Sequence, residues 1–185
     1  MPALSPYHFF RHRLLESGSH YYDVARNTSL LLLRNVASAG VVTCSAEAAL
    51  ALNLHRVFMP HGLGHLIGLD VHDPGVYPHR LQPPQPLQHG MVLTCEPGIY
   101  FVPSLIREAL SNSEKAACLD RESVLRMQNS VGGKCGVIIT TLITPAIINS
   151  AAVSDATAAS GVRIEEVIVV QAVGPPVVLS HTRQL

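Results

Sequence analysis

The spacing of hydrophobic and polar positions changes character several times along the chain, and each change predicts an element. Residues 1–20 sustain no period and read as an unspecified lead-in. From Tyr21 to about Ala39 an apolar run with polar flanks predicts a helix, with Asp23 as candidate cap at its start and Gly40 where a C-terminal glycine belongs. A second helix is expected from Ser45 through AEAALALNLHRV, a run of good helix formers. Ser45 stands three residues before Ala48 rather than a Glu, so no capping box supports it.

After Val57 the periodicity stops. Phe58–Tyr77 is full of Gly and His, and Pro74 and Pro78 keep it out of a long helix. A Pro-rich connector, LQPPQPLQHG, leads to a short strand from Met91 that is stopped by Pro97-Gly98. Pro103–Arg126 has mixed charge on one side and is expected to be helical. Gln128–Ser160 is nearly devoid of charge, yet Pro145 and Asn149 interrupt it too early for a membrane span. Gly161–Val170 alternates at its start, is β-branched, and predicts a final strand. Helices interleaved with short strands make this an α/β (α+β) chain.

Composition narrows the function classes. The 185 residues are 48% hydrophobic and 14% charged, which fits one domain with a real core rather than a solvated disordered chain. Lys plus Arg and Asp plus Glu are both 13, so no excess of positive charge suggests a nucleic-acid or membrane-surface partner. Cys44, Cys95, Cys118 and Cys135 form no CxxC pair, and charges interrupt the first residues where a signal peptide has its apolar core. Free thiols and a cytoplasmic setting are the expectation.

Candidate chemistry lies in three places. His61, His65 and His72 fall within a Gly- and Asp-containing stretch, HGLGHLIGLDVHD, where imidazoles supply a metal ligand and proton-handling groups. Glu96 ends an apolar strand directly before Pro97, a rigid mounting for a ligand carboxylate. Arg163 and Glu165 share one face of the final strand, with Ile164 and Glu166 on the other. Each also has an ordinary reading: loop histidines, a strand-end glutamate in solvent, a surface ion pair. Together, one imidazole and two carboxylates suit a divalent ion such as manganese, cobalt or zinc. Cys95, next to Glu96 in a strand, points to the opposite face and contributes no thiolate.

FMPHGLGHLIGLDVHD (Phe58–Asp73), LQHGMVLTCEPGIYF (Leu87–Phe101) and GVRIEEVIVV (Gly161–Val170) resemble three successive signatures of the proline dipeptidases, or Xaa-Pro dipeptidases. These belong with aminopeptidase P and methionine aminopeptidase to a group whose fold is called pita-bread. The resemblance implies a curved antiparallel sheet bearing Glu96 and Glu165, covered by helices near Leu31 and Ala49. It implies His65, Glu96 and Glu165 as metal ligands and Glu96 as proton shuttle. His61 and His72 would bind substrate and handle protons, and Arg163 would recognise the substrate's C-terminal carboxylate. The implied cofactor is Mn2+, two ions in the family, and the implied substrate a dipeptide with C-terminal proline. A homodimer is left open.

Two departures shape the expectation. The family supplies two further aspartate ligands from an upstream strand pair. Here Asp70 and Asp73 belong to the histidine motif and Asp23 falls in a predicted helix. Residues 21–185 therefore read as the C-terminal part of a pita-bread domain, binding at most one ion and weakly active or inactive by itself. The segment at about 128–160 has no family counterpart and reads as translated intervening sequence or a lineage-specific insertion. The alternatives are a catalytically dead peptide- or partner-binding module and an aminopeptidase P-type exopeptidase.

Overall fold

The structure, a computed structural model, describes residues 15–75, 85–130, 160–163 and 165–180. His79, Cys135 and most of the low-charge segment expected at about 128–160 lie outside them. The chain divides into two compact units: residues 1–28, 62–97 and 164–184, and residues 29–61, 98–163 and 185.

Helix α1 spans Tyr21–Ser38. Asp23 lies in its first turn rather than capping it. Gly40 does what its position suggests: with φ of 75° it turns the chain left-handed, its amide bonds to Ala37 O, and Val41's amide bonds to Val36 O. That pair of bonds satisfies the last carbonyls of the helix.

The expected second helix is cut in two. Ser45 caps α2 (Ala46–Ala51) by accepting a hydrogen bond from the Ala48 amide. The same closing pattern then recurs: Asn53 adopts φ of 57°, its amide bonds to Leu50 O and that of Leu54 to Ala49 O. Asn is one of the few residues that enters this region readily, so the helix ends and α3 (His55–Phe58) starts afresh. Likewise the helical stretch from Pro103 becomes α4 (Pro103–Ser111), α5 (Ser113–Ala117) and α6 (Arg121–Ser130). Asn112 and Asp120 restart it, their side chains accepting from the amides of Lys115 and Ser123.

In the second unit these helices enclose a core of Leu33, Val36, Ala49, Leu54, Phe58, Ile99, Phe101, Ile106 and Val124. Strand β2 (Gly98–Phe101) supplies Ile99 and Phe101 and pairs antiparallel with β3 (Ser160–Arg163). Helices near Leu31 and Ala49 thus cover β2. A bridge between Val42 and Leu119 brings Cys44 and Cys118 together, and a disulfide joins them with Cα atoms 5.0 Å apart. That bond corrects the expectation of free thiols at these two positions.

The first unit holds a three-stranded antiparallel sheet in the order β1 (Val92–Cys95), β4 (Glu166–Val169), β5 (Val177–Val178). Its core joins Leu15, Tyr21, Val24, Leu63, Leu87, Leu93, Ile168 and Val170. Residues 15–20 are part of this structure: Gly18 and Ser19 exchange backbone hydrogen bonds with Leu87, which corrects their reading as lead-in. The single strand expected over Gly161–Val170 is two, β3 and β4, and that from Met91 continues beyond Pro97 as β2. Among the described residues no helix is long and apolar enough to cross a membrane.

The disulfide spans 74 positions, a separation at which a crosslink restricts the unfolded chain strongly. Reduction, or Cys44→Ser with Cys118→Ser, should lower the unfolding free energy by about 3–5 kcal/mol. Urea denaturation with and without reductant measures it, and identical curves would contradict it.

Candidate metal centre

The Gly- and His-rich stretch that looked like a loop runs along the free edge of β1. Ile67's amide bonds to Val92 O, Thr94's to His65 O and Glu96's to Leu63 O, with an antiparallel bridge at Leu66–Leu93. β1 is therefore held on both sides. Gly64 makes this approach possible: a Cβ there would collide with the Thr94 carbonyl and lie 2.6 Å from the Tyr21 hydroxyl.

Alternation along β1 sorts its side chains. Leu93 is fully buried in the apolar cluster, and Cys95 packs against the same cluster. Thr94 and Glu96 take the other face. There Thr94 Oγ1 donates to Glu96 Oε1 at 2.7 Å and accepts from the His65 amide at 2.9 Å. His65 Nε2 stands 3.2 Å from the same Glu96 oxygen, and both side chains are largely buried.

The other ring nitrogen of His65, Nδ1, is 2.9 Å from Leu66 O. A carbonyl only accepts, so Nδ1 carries a hydrogen and Nε2 is the ring atom turned toward the carboxylate. At this spacing Nε2 and Oε1 hold a proton or a cation between them. Their spacing is also what two neighbouring ligands adopt when each is about 2.1 Å from one ion. The pair thus fits a divalent ion by donor chemistry and spacing. Among the described residues no group of three or more ligating side chains forms, so the fit is that of a partial site.

His72 is exposed, its ring tilted against that of His65 with centroids 4.3 Å apart. Glu165 is exposed just before β4, whereas Glu166 is buried at the strand's first position, opposite Cys95. In the second unit, His61 Nε2 lies 3.1 Å from the Tyr100 hydroxyl with the rings edge-on, and Arg163 is exposed at the end of β3. Tyr100 packs over Gly98 and Gly161, where any Cβ would strike its ring. Thr94 and Tyr100 were not singled out from sequence, and Glu166 was placed only on the face opposite Arg163 and Glu165. The first was accessible through the i, i+2 relation of Thr94 and Glu96 in a strand.

Burial drives the Cys95 thiol from its ordinary 9.0 up to about 12, with the nearby carboxylates of Glu166 and Glu96 adding to the shift. It stays a protonated, inert thiol at neutral pH.

The chain belongs to metallopeptidase family M24, whose family model matches residues 16–172. Its mixed helix and antiparallel-strand architecture is that of the pita-bread proteins. Among individual relatives it is 41% identical to human Xaa-Pro dipeptidase over 130 residues, covering 64% of this chain and 26% of that protein. An Xaa-Pro dipeptidase of Xanthomonas oryzae pv. oryzae is 38% identical over 117 residues, or 56% of this chain and 26% of that one. Zinc-substituted Escherichia coli aminopeptidase P in complex with product matches in structure with a TM-score of 0.57 at 24% identity, covering 95% of this chain and 28% of that one. The chain spans 26% of the length of the curated relatives it matches.

Gly64→Ala should destabilise the first unit by on the order of 1–3 kcal/mol, because the backbone of β1 and the Tyr21 hydroxyl must move. A shift in the urea midpoint measures this. Alkylation of Cys95 at pH 8, followed by mass spectrometry, should be roughly a hundredfold or more slower in the folded chain than in denaturant. The unfolded thiol ionises near 9.0 and the folded one only near about 12, so this group favours unfolding increasingly as pH rises through that window. Rapid native labelling would contradict the assignment.

Proposed function

We propose that this chain carries part of the centre of a metal-dependent peptidase acting on dipeptides with C-terminal proline. The observation that carries the reading is the convergence of His65 Nε2 and Glu96 Oε1 at 3.2 Å, both held by the Thr94 hydroxyl and its neighbours. The names of the relatives at 41% and 38% identity support the substrate class.

In this reading His65, Glu96 and Glu165 hold a divalent ion, with Mn2+ as the proposed metal. Glu165 is included on register. Cys95 pairs with Glu166 across the β1–β4 ladder, so carrying the antiparallel register one residue further sets Glu165 opposite Glu96, on the Thr94 face. The ion would supply Lewis acidity, polarising a carbonyl and lowering the pKa of bound water. The chain's own residues do the rest. Glu96 moves a proton, His61 and His72 bind substrate and handle protons, and the Arg163 guanidinium matches the fork of a C-terminal carboxylate.

The second reading is a peptide- or partner-binding module without activity. It is favoured by one observation: no group of three ligating residues forms among the described residues. An aminopeptidase P-type specificity is the narrower alternative within the first reading.

Both are tested together. Calorimetric titration with Mn2+ should show at most one weakly bound ion, and His65→Ala should abolish it while His89→Ala leaves it within about threefold. His89 is tied by Nδ1 to Val170 O and has no place in the site. Gly-Pro hydrolysis should be negligible for the chain by itself and appear when an aspartate-bearing M24 segment is restored in frame and residues 128–160 are removed. Equal losses for the two histidine variants would defeat the ligand assignment, and robust turnover by the chain as it stands would show that two carboxylates suffice.

A further inference from the structure

We infer that Thr94 is a positioning residue for the metal centre: its hydroxyl sets the Glu96 carboxylate and the His65 imidazole in the mutual geometry that one divalent ion requires. The inference rests on the reading of His65 and Glu96 as ligands and adds a residue to it that neither binds the ion nor touches substrate.

Thr94 is 1% exposed, and every polar atom it has is engaged. Its amide bonds to His65 O at 2.8 Å, and its carbonyl accepts from the buried Tyr21 hydroxyl at 2.9 Å. Its Oγ1 accepts from the His65 amide at 2.9 Å. With that amide at the oxygen's lone pair, the hydroxyl hydrogen has two directions, to Glu96 Oε1 at 2.7 Å or His65 O at 3.5 Å. The shorter contact decides it: the hydrogen goes to Glu96. The β-branched side chain has few rotamers, so the hydroxyl cannot easily swing away.

One oxygen thus links the segment that carries the imidazole to the carboxylate two residues along the strand. Without it the carboxylate loses the hydrogen bond that fixes Oε1 beside His65 Nε2. Outer partners of this kind typically contribute about 10–100-fold in metal affinity.

The test uses the 185-residue chain and Co2+, followed by calorimetry and by the visible absorption of the bound ion. Thr94→Val keeps the shape and removes the hydroxyl; Thr94→Ser keeps the hydroxyl. We expect Thr94→Val to bind Co2+ about 10–100-fold more weakly, with an altered absorption spectrum. Thr94→Ser should stay within about threefold of the parent with its spectrum preserved. Equal weakening by Val and Ser, or none by Val while His65→Ala and Glu96→Gln abolish binding, would overturn the role of Thr94 and leave the ligand reading standing. Binding unaffected by His65→Ala and Glu96→Gln, or no saturable binding at all, would remove the ligand reading and the inference with it. Thr94→Ala is the second apolar variant should Val fail to fold. If Val and Ala both unfold while Ser does not, the hydroxyl serves the fold rather than the ion, and the inference fails.

Discussion

Backbone hydrogen bonds along both edges of β1 lock the pleat of that strand. On one side its partner is the Leu63–Ile67 segment, on the other β4, and neither side can slip by one residue without inverting every side chain between them. Slippage would move Leu93 out of the apolar cluster and drive the Glu96 carboxylate into it, at the full cost of burying a charge away from its partners. The hydrophobic face of the sheet therefore holds the face bearing Thr94 and Glu96 in place. Packing of Leu93 against Tyr21, Leu63 and Ile168 fixes the register, and the register points Thr94 and Glu96 at His65.

Closeness has a local requirement as well. A segment carrying a side chain at every position could not lie this near the Thr94 carbonyl, and Gly64 removes the obstacle. Glycines beside His65 admit a close backbone approach, and at Gly64 the object approached is β1 and Tyr21. Glycine-rich composition signals contact with something; it does not say whether that is substrate or backbone.

How much was legible follows from the range of each signal. Helix α1 and its end at Gly40 were readable because both depend on residues a turn apart. The break at Asn53 and the restarts at Asn112 and Asp120 also have local signatures, yet good helix formers on either side masked them. The Cys44–Cys118 bond was not legible, since its partners meet only after residues 74 apart are folded together. Of the site, the ligand types and their motifs came from the resemblance alone, and the 3.2 Å approach of His65 Nε2 to Glu96 Oε1 is a feature of the folded chain that no sequence spacing displays. The Thr94 hydroxyl went unnoticed because a threonine in a β-branched strand needs no explanation beyond propensity. The burial of Glu166 rather than its neighbour Glu165 depends on where β4 begins, with two residues between it and the end of β3, and no periodicity in a run of two glutamates marks that point.

In the proposed centre, the alternation of β1 also decides which donor atoms an ion would meet. Cys95 is one residue from Glu96, and a thiolate beside an imidazole and a carboxylate would make a softer donor set, favouring zinc or copper over manganese. The strand turns the sulfur into the apolar cluster, where burial and two carboxylates push its pKa up to about 12 and keep it protonated. The opposite face presents only nitrogen and oxygen: the His65 imidazole, the Glu96 carboxylate, and the Thr94 hydroxyl that orients them. One strand thus keeps a soft ligand and a harder donor pair on either side of its backbone. The hardness of the centre follows from the same register that buries Leu93, and a site assembled on β1 stays an oxygen–nitrogen site for as long as the core beneath it remains packed.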